Sequence, residues 1–261
     1  MTNASILESF LKFSEQLKSS LASRPAVIGL VFVGSTADTS RVDRWSDHDF
    51  FVITKPGEAE SLRTELSWLP NHQDIVISPR ETAHGLKVVY RNGHVLEFAV
   101  FEDSELELAS ANAFLVAIDR GNIGQRMAAI AERSGRTTDF DDEFGLLLSH
   151  FLIAVGRYRR GEVLTAGETI RGTCVNHLLG LIRSQINPKA GTEKATDNLN
   201  RLRRFELQYP NIAARLSGIL MLQVEDCARA QYELLVELIG PKFTDRQQEQ
   251  AKVVSELLAW N

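Results

Sequence analysis

Two aspartates one residue apart, Asp47 and Asp49, open the apolar run Phe50, Phe51, Val52, Ile53. Side chains alternate along a strand, so both carboxylates point to one face, a few ångströms apart, and His48 and Phe50 to the other. Like charges held that close at the start of a buried strand are costly unless a divalent cation lies between them, and hard oxygen ligands suit magnesium. The plainer alternative is a solvated loop with Ser46 as its turn residue, but the apolar run directly after the pair argues against it. A third acid, Glu97, shares its strand face with Val95, Ala99 and Phe101, while Leu96, Phe98 and Val100 take the other. If the two strands are neighbours, three carboxylates form one cluster. Twelve residues before Asp47, Gly34 and Ser35 end another apolar run. A tight turn there, opening onto a short helix, would offer backbone N–H groups and a hydroxyl to a phosphate.

These residues need elements to hold them. Ile6, Phe10, Phe13, Leu17 and Leu21 predict an amphipathic helix over 5–23, capped by Ser5 and ended by Pro25. Residues 26–33 predict a strand buried on both faces, and 47–54 a second one closed by Pro56 and Gly57. A short helix over 58–68 precedes a strand at 74–78. Runs at 87–90 and 94–101 flank Arg91, Asn92 and Gly93, and Asn-Gly predicts a two-residue hairpin turn with both residues at positive φ. That makes about five strands up to Phe101. From Ser104 onward the period is helical without interruption, with apolar stripes through Phe144, Leu147, Leu148, Phe151, Leu152 and Val155 and again over 170–186, 212–239 and 253–258. The expected class is α+β: an N-terminal mixed β-sheet layer with helices over 1–138, then an all-α, up-and-down helical bundle over 139–261, with the boundary at 134–139 around Gly135.

Composition agrees with two globular domains. The chain has 261 residues, 44% hydrophobic and 24% charged, which excludes a disordered chain, a collagen and a coiled rod. Its longest apolar runs fall short of the roughly 20 residues of a membrane helix, and Thr2, Asn3 and Ser5 open a segment without the basic start of a signal peptide, so no membrane partner and a cytoplasmic location are expected. Cys174 and Cys227 have no ligand spacing around them and are expected as buried thiols. The net charge of -5, mildly acidic in both halves, argues against a polynucleotide partner.

Glycine-serine after an apolar strand, then Asp-x-Asp, then a carboxylate on a later strand resembles the nucleotidyltransferase superfamily that includes DNA polymerase β and the antibiotic nucleotidyltransferases. The matching residues are Gly34, Ser35, Asp47, Asp49 and Glu97. With a helical half whose first helix ends Tyr158, Arg159, Arg160, Gly161, Glu162, the likeness to lincosamide and aminoglycoside nucleotidyltransferases extends over nearly the whole chain. The chain departs from the family at His48, where many members carry an aliphatic residue, and at Glu97, where aspartate is common; neither removes a required carboxylate. The resemblance implies transfer of a nucleoside monophosphate, AMP from ATP foremost, to a hydroxyl of a small molecule such as a lincosamide or aminoglycoside, with release of pyrophosphate. Asp47 and Asp49 would hold Mg2+, and Ser35 and the Gly34 backbone would grip the β- and γ-phosphates. Glu97 would be a further metal ligand or, the role the resemblance favours, the general base. It also implies a homodimer.

Other residues have plainer roles open to them. Arg157, Arg159 and Arg160 could reach a triphosphate, yet cations also suit the end of a helix. The cluster of Arg201, Arg203 and Arg204 is open in the same way. His150 reads as a satisfied core or interface histidine. Glu102, Asp103, Glu105 and Glu107 favour the start of the next helix over attraction of a cationic substrate. A different function class is suggested by Arg171 and His177, whose spacing is loosely that of HEPN-type ribonucleases of toxin–antitoxin modules; six residues apart, they stand about 600° around a helix and do not share a line.

Overall fold

Strand β1 (Val27–Val33) is buried along most of its length because a strand pairs with it on each side. In the computed structural model, which describes residues 3–134, 139–197 and 199–260, β1 lies antiparallel to both β2 (His48–Thr54) and β6 (Phe114–Asp119). With β3 (Ile75–Ile77), β4 (Gly85–Tyr90) and β5 (Val95–Glu102) they form a six-stranded mixed sheet in the order β3-β4-β5-β2-β1-β6. The pair β2–β5 is parallel, and β3–β4 and β4–β5 are antiparallel. The chain divides into two compact units, Met1–Arg136 and Thr137–Asn261. The expected boundary at 134–139, with Gly135, falls mostly on residues outside those described.

Alternation of side chains gives the sheet two apolar faces. Leu30, Phe32, Phe50, Val52, Leu96, Phe98 and Val100 meet Phe13, Leu17 and Leu21 of α1 (Asn3–Ala22) and Leu62 of α3 (Ala59–Thr64). Val31, Ile53, Ala99 and Phe101 meet Ile123, Met127 and Ile130 of α4 (Ile123–Ser134) on the other face. Helix α2 (Gly34–Ala37) follows β1 directly.

Four local expectations are corrected. Ser5 lies inside α1, which begins at Asn3, and so does not cap it. The helix expected over 58–68 is split, because Glu65 takes an extended conformation between α3 and a 3₁₀ turn at Leu66–Trp68. The hairpin loop has three residues: the Gly93 N–H donates to the Tyr90 carbonyl and the Tyr90 N–H to that of His94, both at 2.9 Å. Of the Asn-Gly pair only Gly93 takes positive φ, +85°, the arrangement of a type I turn closed by a left-handed glycine. Finally, β6 is a strand after Ser104, where an uninterrupted helical period was expected. It is an edge strand with only Ile118 buried, so it lacks the alternation of a half-buried strand, and a short apolar run alone does not tell strand from helix.

The second unit holds helices and no strand among its described residues. Asp139 caps α5 (Phe140–Arg159), accepting the Asp141 N–H at 2.8 Å. Then come α6 (Val163–Glu168), a π-helical turn at Thr169–Cys174, α7 (Val175–Gln185), α8 (Phe205–Gln208), α9 (Pro210–Ile219), α10 (Val224–Ile239) and α11 (Asp245–Leu258). They close over one core that includes Phe144, Leu147, Phe151, Leu178 and Leu235. Cys174 and Cys227 are free thiols in that core, and burial pushes the Cys174 thiol up to about 12. Among the described residues no helix is long and apolar enough to cross a membrane.

Candidate active site

The end of β1 and the start of β2 are adjacent, because Val33 is the register partner of Asp49. At Gly34 the chain turns into α2 with φ +58°, a conformation that favours glycine. Space demands glycine too: a Cβ there would come within 2.4 Å of Asp49 Oδ2. Two hydroxyls of α2 then tie it to β2. Ser35 Oγ donates to the Asp47 carbonyl at 3.3 Å, and the buried Thr36 Oγ1 accepts the Asp49 N–H at 2.9 Å. Asp47 lies one residue before β2, which begins at His48 rather than at Asp47.

Across the sheet Asp49 is the register partner of Glu97, and Glu97 that of Lys87. The carboxylates of Asp47, Asp49 and Glu97 each offer an oxygen within 4.8 Å of the others, and all three residues are half-buried. An all-oxygen set of this kind fits a hard dication, and the missing Cβ at Gly34 leaves room beside it. Lys87 Nζ lies 2.9 Å from Glu97 Oε1 and 3.1 Å from Glu81 Oε1. Glu97 first, and then Glu81, hold that ammonium above the usual lysine range. Arg41 also reaches the turn: its Nη2 donates to the Gly34 carbonyl at 3.2 Å, and its Nε pairs with Asp38 at 2.9 Å. Thr36, Arg41 and Lys87 escaped the reading of the sequence, in which only the position of Arg41 between Ser35 and Asp47 was a signal.

His48, on the opposite face of β2, serves the core. It is fully buried and stacked on Phe10 with ring centroids 3.7 Å apart. Its Nε2 meets the Phe10 carbonyl at 3.2 Å and Ser14 Oγ at 3.0 Å, and its Nδ1 meets His94 Nε2 at 2.8 Å. The carbonyl can only accept, so these partners assign the proton of His48 to Nε2 and leave Nδ1 to accept from His94. Burial, with the neighbouring His94, pushes His48 down to about 3, and burial pushes His94 down to about 4.

Most of the other candidates are engaged within their own unit. Glu102 and Glu105 form a capping box on the 3₁₀ helix Asp103–Leu108, as the reading of a helix start expects, and Arg126 bridges Asp103 and Glu107 at 2.5 and 2.8 Å. In the helical unit Arg159 pairs with Glu225 at 2.5 Å and Arg160 with Glu162 at 3.1 Å. Arg201 holds the buried Glu143 at 2.6 and 2.9 Å, while Arg204 and Arg203 lie 3.2 and 3.8 Å from Asp197. Arg171 donates to the carbonyls of Leu220 and Leu222 at 3.1 and 2.7 Å, whereas His177 Nδ1 meets Glu143 at 2.6 Å. His150 stacks on His177 at 5.1 Å, but its Nδ1 is buried with no partner among the described residues, so this histidine is not fully satisfied.

No family model and no curated protein matches the chain. Among solved structures it is similar to an aminoglycoside 6-adenyltransferase from Bacillus subtilis, at 14% identity and a TM-score of 0.36, over 96% of this chain and 91% of that one. It is also similar to a nucleotidyltransferase-like protein from Exiguobacterium sibiricum, at 15% identity and a TM-score of 0.35, over 88% of this chain and 74% of that one. A third is the STING-associated CdnE c-di-GMP synthase from Capnocytophaga granulosa, at 12% identity and a TM-score of 0.33, over 98% and 82%. At this level the likeness is remote and carries no argument about chemistry.

Proposed function

We propose that this chain is a magnesium-dependent nucleotidyltransferase of the EC 2.7.7 type, which moves a nucleoside monophosphate, AMP from ATP foremost, to a hydroxyl of a lincosamide- or aminoglycoside-like small molecule. The observation that supports it is the meeting of three carboxylates within 4.8 Å beside the glycine turn that follows β1. Residues 1–138 would be the catalytic domain and 139–261 a helical domain, in a cytoplasmic homodimer.

Asp47 and Asp49 would hold the ion, which when bound neutralises charge on the phosphoryl oxygens. The backbone at Gly34 and the Ser35 hydroxyl receive the β- and γ-phosphates, Ser35 exchanging its long bond to the Asp47 carbonyl for a phosphate oxygen. Arg41, already at the Gly34 carbonyl, adds positive charge there. The acceptor oxygen forms a bond to the α-phosphorus while the α–β bridging bond breaks, and pyrophosphate leaves with the electron pair. Glu97 takes the proton of the acceptor hydroxyl.

Calorimetry with Mg2+ and a non-hydrolysable ATP analogue tests the site, comparing wild type with Asp47→Asn/Asp49→Asn. Binding lost in the double variant supports the reading, and product formation across a panel of lincosamides and aminoglycosides then finds the acceptor. Absence of binding to any nucleoside triphosphate, with or without acceptor, would overturn it.

A further inference from the structure

We propose that Lys87 is the internal counter-ion of the carboxylate cluster: by holding Glu97 it keeps that carboxylate off the metal, so that Asp47 and Asp49 take the ion and Glu97 is reserved for the acceptor hydroxyl. The proposal deepens the reading of the site above and rests on it.

Register carries the argument. Lys87 faces Glu97 across β4–β5, and Glu97 faces Asp49 across β5–β2. Directly opposite residues share a face of the sheet, so an ammonium and two carboxylates stand in one row. The ammonium is held from two sides, 2.9 Å from Glu97 and 3.1 Å from Glu81. The backbone at Lys87 is fixed in place because the alternate residues of β4, Leu86, Val88 and Tyr90, are buried in the core.

The fold does not need a lysine here. Its side chain is 39% exposed and that of Glu97 44%, and an isolated pair so exposed contributes little to stability. What distinguishes this pair is its company. Glu97 offers an oxygen within 4.8 Å of ligand atoms on Asp47 and Asp49, so a dication on the aspartates competes with the ammonium for Glu97. The ammonium on Oε1 draws negative charge away from the Glu97 carboxylate and so weakens it as a ligand for a dication about 2.1 Å away, even through its other oxygen. Lys87 thereby separates two roles that a bare three-acid cluster would confuse. It is a positioning residue, acting through Glu97.

Mn2+ binding to the full chain without nucleotide, followed by the EPR signal of the free ion, tests this. Wild type and Lys87→Arg are expected to bind one ion with equal affinity. Lys87→Met is expected to bind it at least about tenfold more tightly, with Glu97 recruited as a ligand, and Lys87→Met/Glu97→Gln to return to the wild-type value. Lys87→Gln repeats the measurement with a polar side chain, and circular dichroism checks that each variant is folded. Equal or weaker binding by Lys87→Met and Lys87→Gln overturns the proposal, as does a gain that survives in the double variant. If Asp47→Asn/Asp49→Asn still abolishes wild-type binding, the metal site stands and only the counter-ion role falls. If no variant binds Mn2+, or the aspartate variant binds as wild type does, both fall together.

Discussion

Asp49 and Glu97 are direct register partners across the parallel pair β2–β5, and Glu97 meets Lys87 on its other side. A charged row therefore crosses three strands at the point where the chain leaves β1 through Gly34.

Magnesium is expected to stabilise the first unit through this row. A ligand that binds only the folded state at a hundred times its Kd adds about 2.7 kcal/mol. Thermal unfolding should accordingly move up by several degrees with Mg2+ in wild type and stay unchanged in Asp49→Asn. Equal shifts in both proteins would place the ion elsewhere.

Gly34→Ala tests the turn. The new Cβ meets Asp49 Oδ2 and forces a left-handed φ on alanine, at a cost of about 1–2 kcal/mol. Nucleotide binding should be lost along with that stability. An alanine variant that is destabilised but binds nucleotide normally would remove the turn from the phosphate site.

Glu97→Gln separates chemistry from binding. If Glu97 takes the acceptor proton, turnover should fall by about 10²–10⁴-fold while affinity for the magnesium nucleotide stays within a few-fold of wild type. A matched loss of nucleotide affinity would make Glu97 a metal ligand instead.

The His48–His94 pair sets an acid limit on stability. Both are pushed down, to about 3 and about 4, from a value near 6.5 in the unfolded chain. Between these values the unfolded state binds more protons than the folded one. Stability is therefore fully present above pH 6.5 and falls as the pH drops toward 4, by about 2 kcal/mol or more. Urea midpoints at pH 7.5, 6 and 5 check this, and His94→Phe should flatten the slope.

Asp49 and Glu97 were legible in the sequence because the strand period places them, and Asp47 because it directly precedes the same strand as Asp49. Glu97 lies among alternating Val95, Leu96, Phe98 and Ala99, so its face was readable, and the two-face core follows from the same alternation. Lys87 was not legible as part of the site, because its pairing with Glu97 depends on hairpin register, which no local pattern states. The three-residue loop at Arg91–Gly93 shows how a turn dipeptide identifies a hairpin without settling its length. Strand β6 escaped because its partner β1 lies more than 80 residues earlier and its own burial is slight. The role of His48 depended on α1, whose Phe10 carbonyl and Ser14 hydroxyl are far off in sequence.

Because β2 and β5 run in the same direction, no hairpin can join them, and about 50 residues separate Asp49 from Glu97, including all of β3 and β4. Closing a loop of that length costs roughly 3 kcal/mol in chain entropy, offset only when the whole sheet assembles. The complete carboxylate cluster therefore has no local precursor during folding. A nascent chain ending before β5 carries Gly34, Ser35, Asp47 and Asp49 yet lacks the third acid and its strand, so the complete centre arises only with the finished domain.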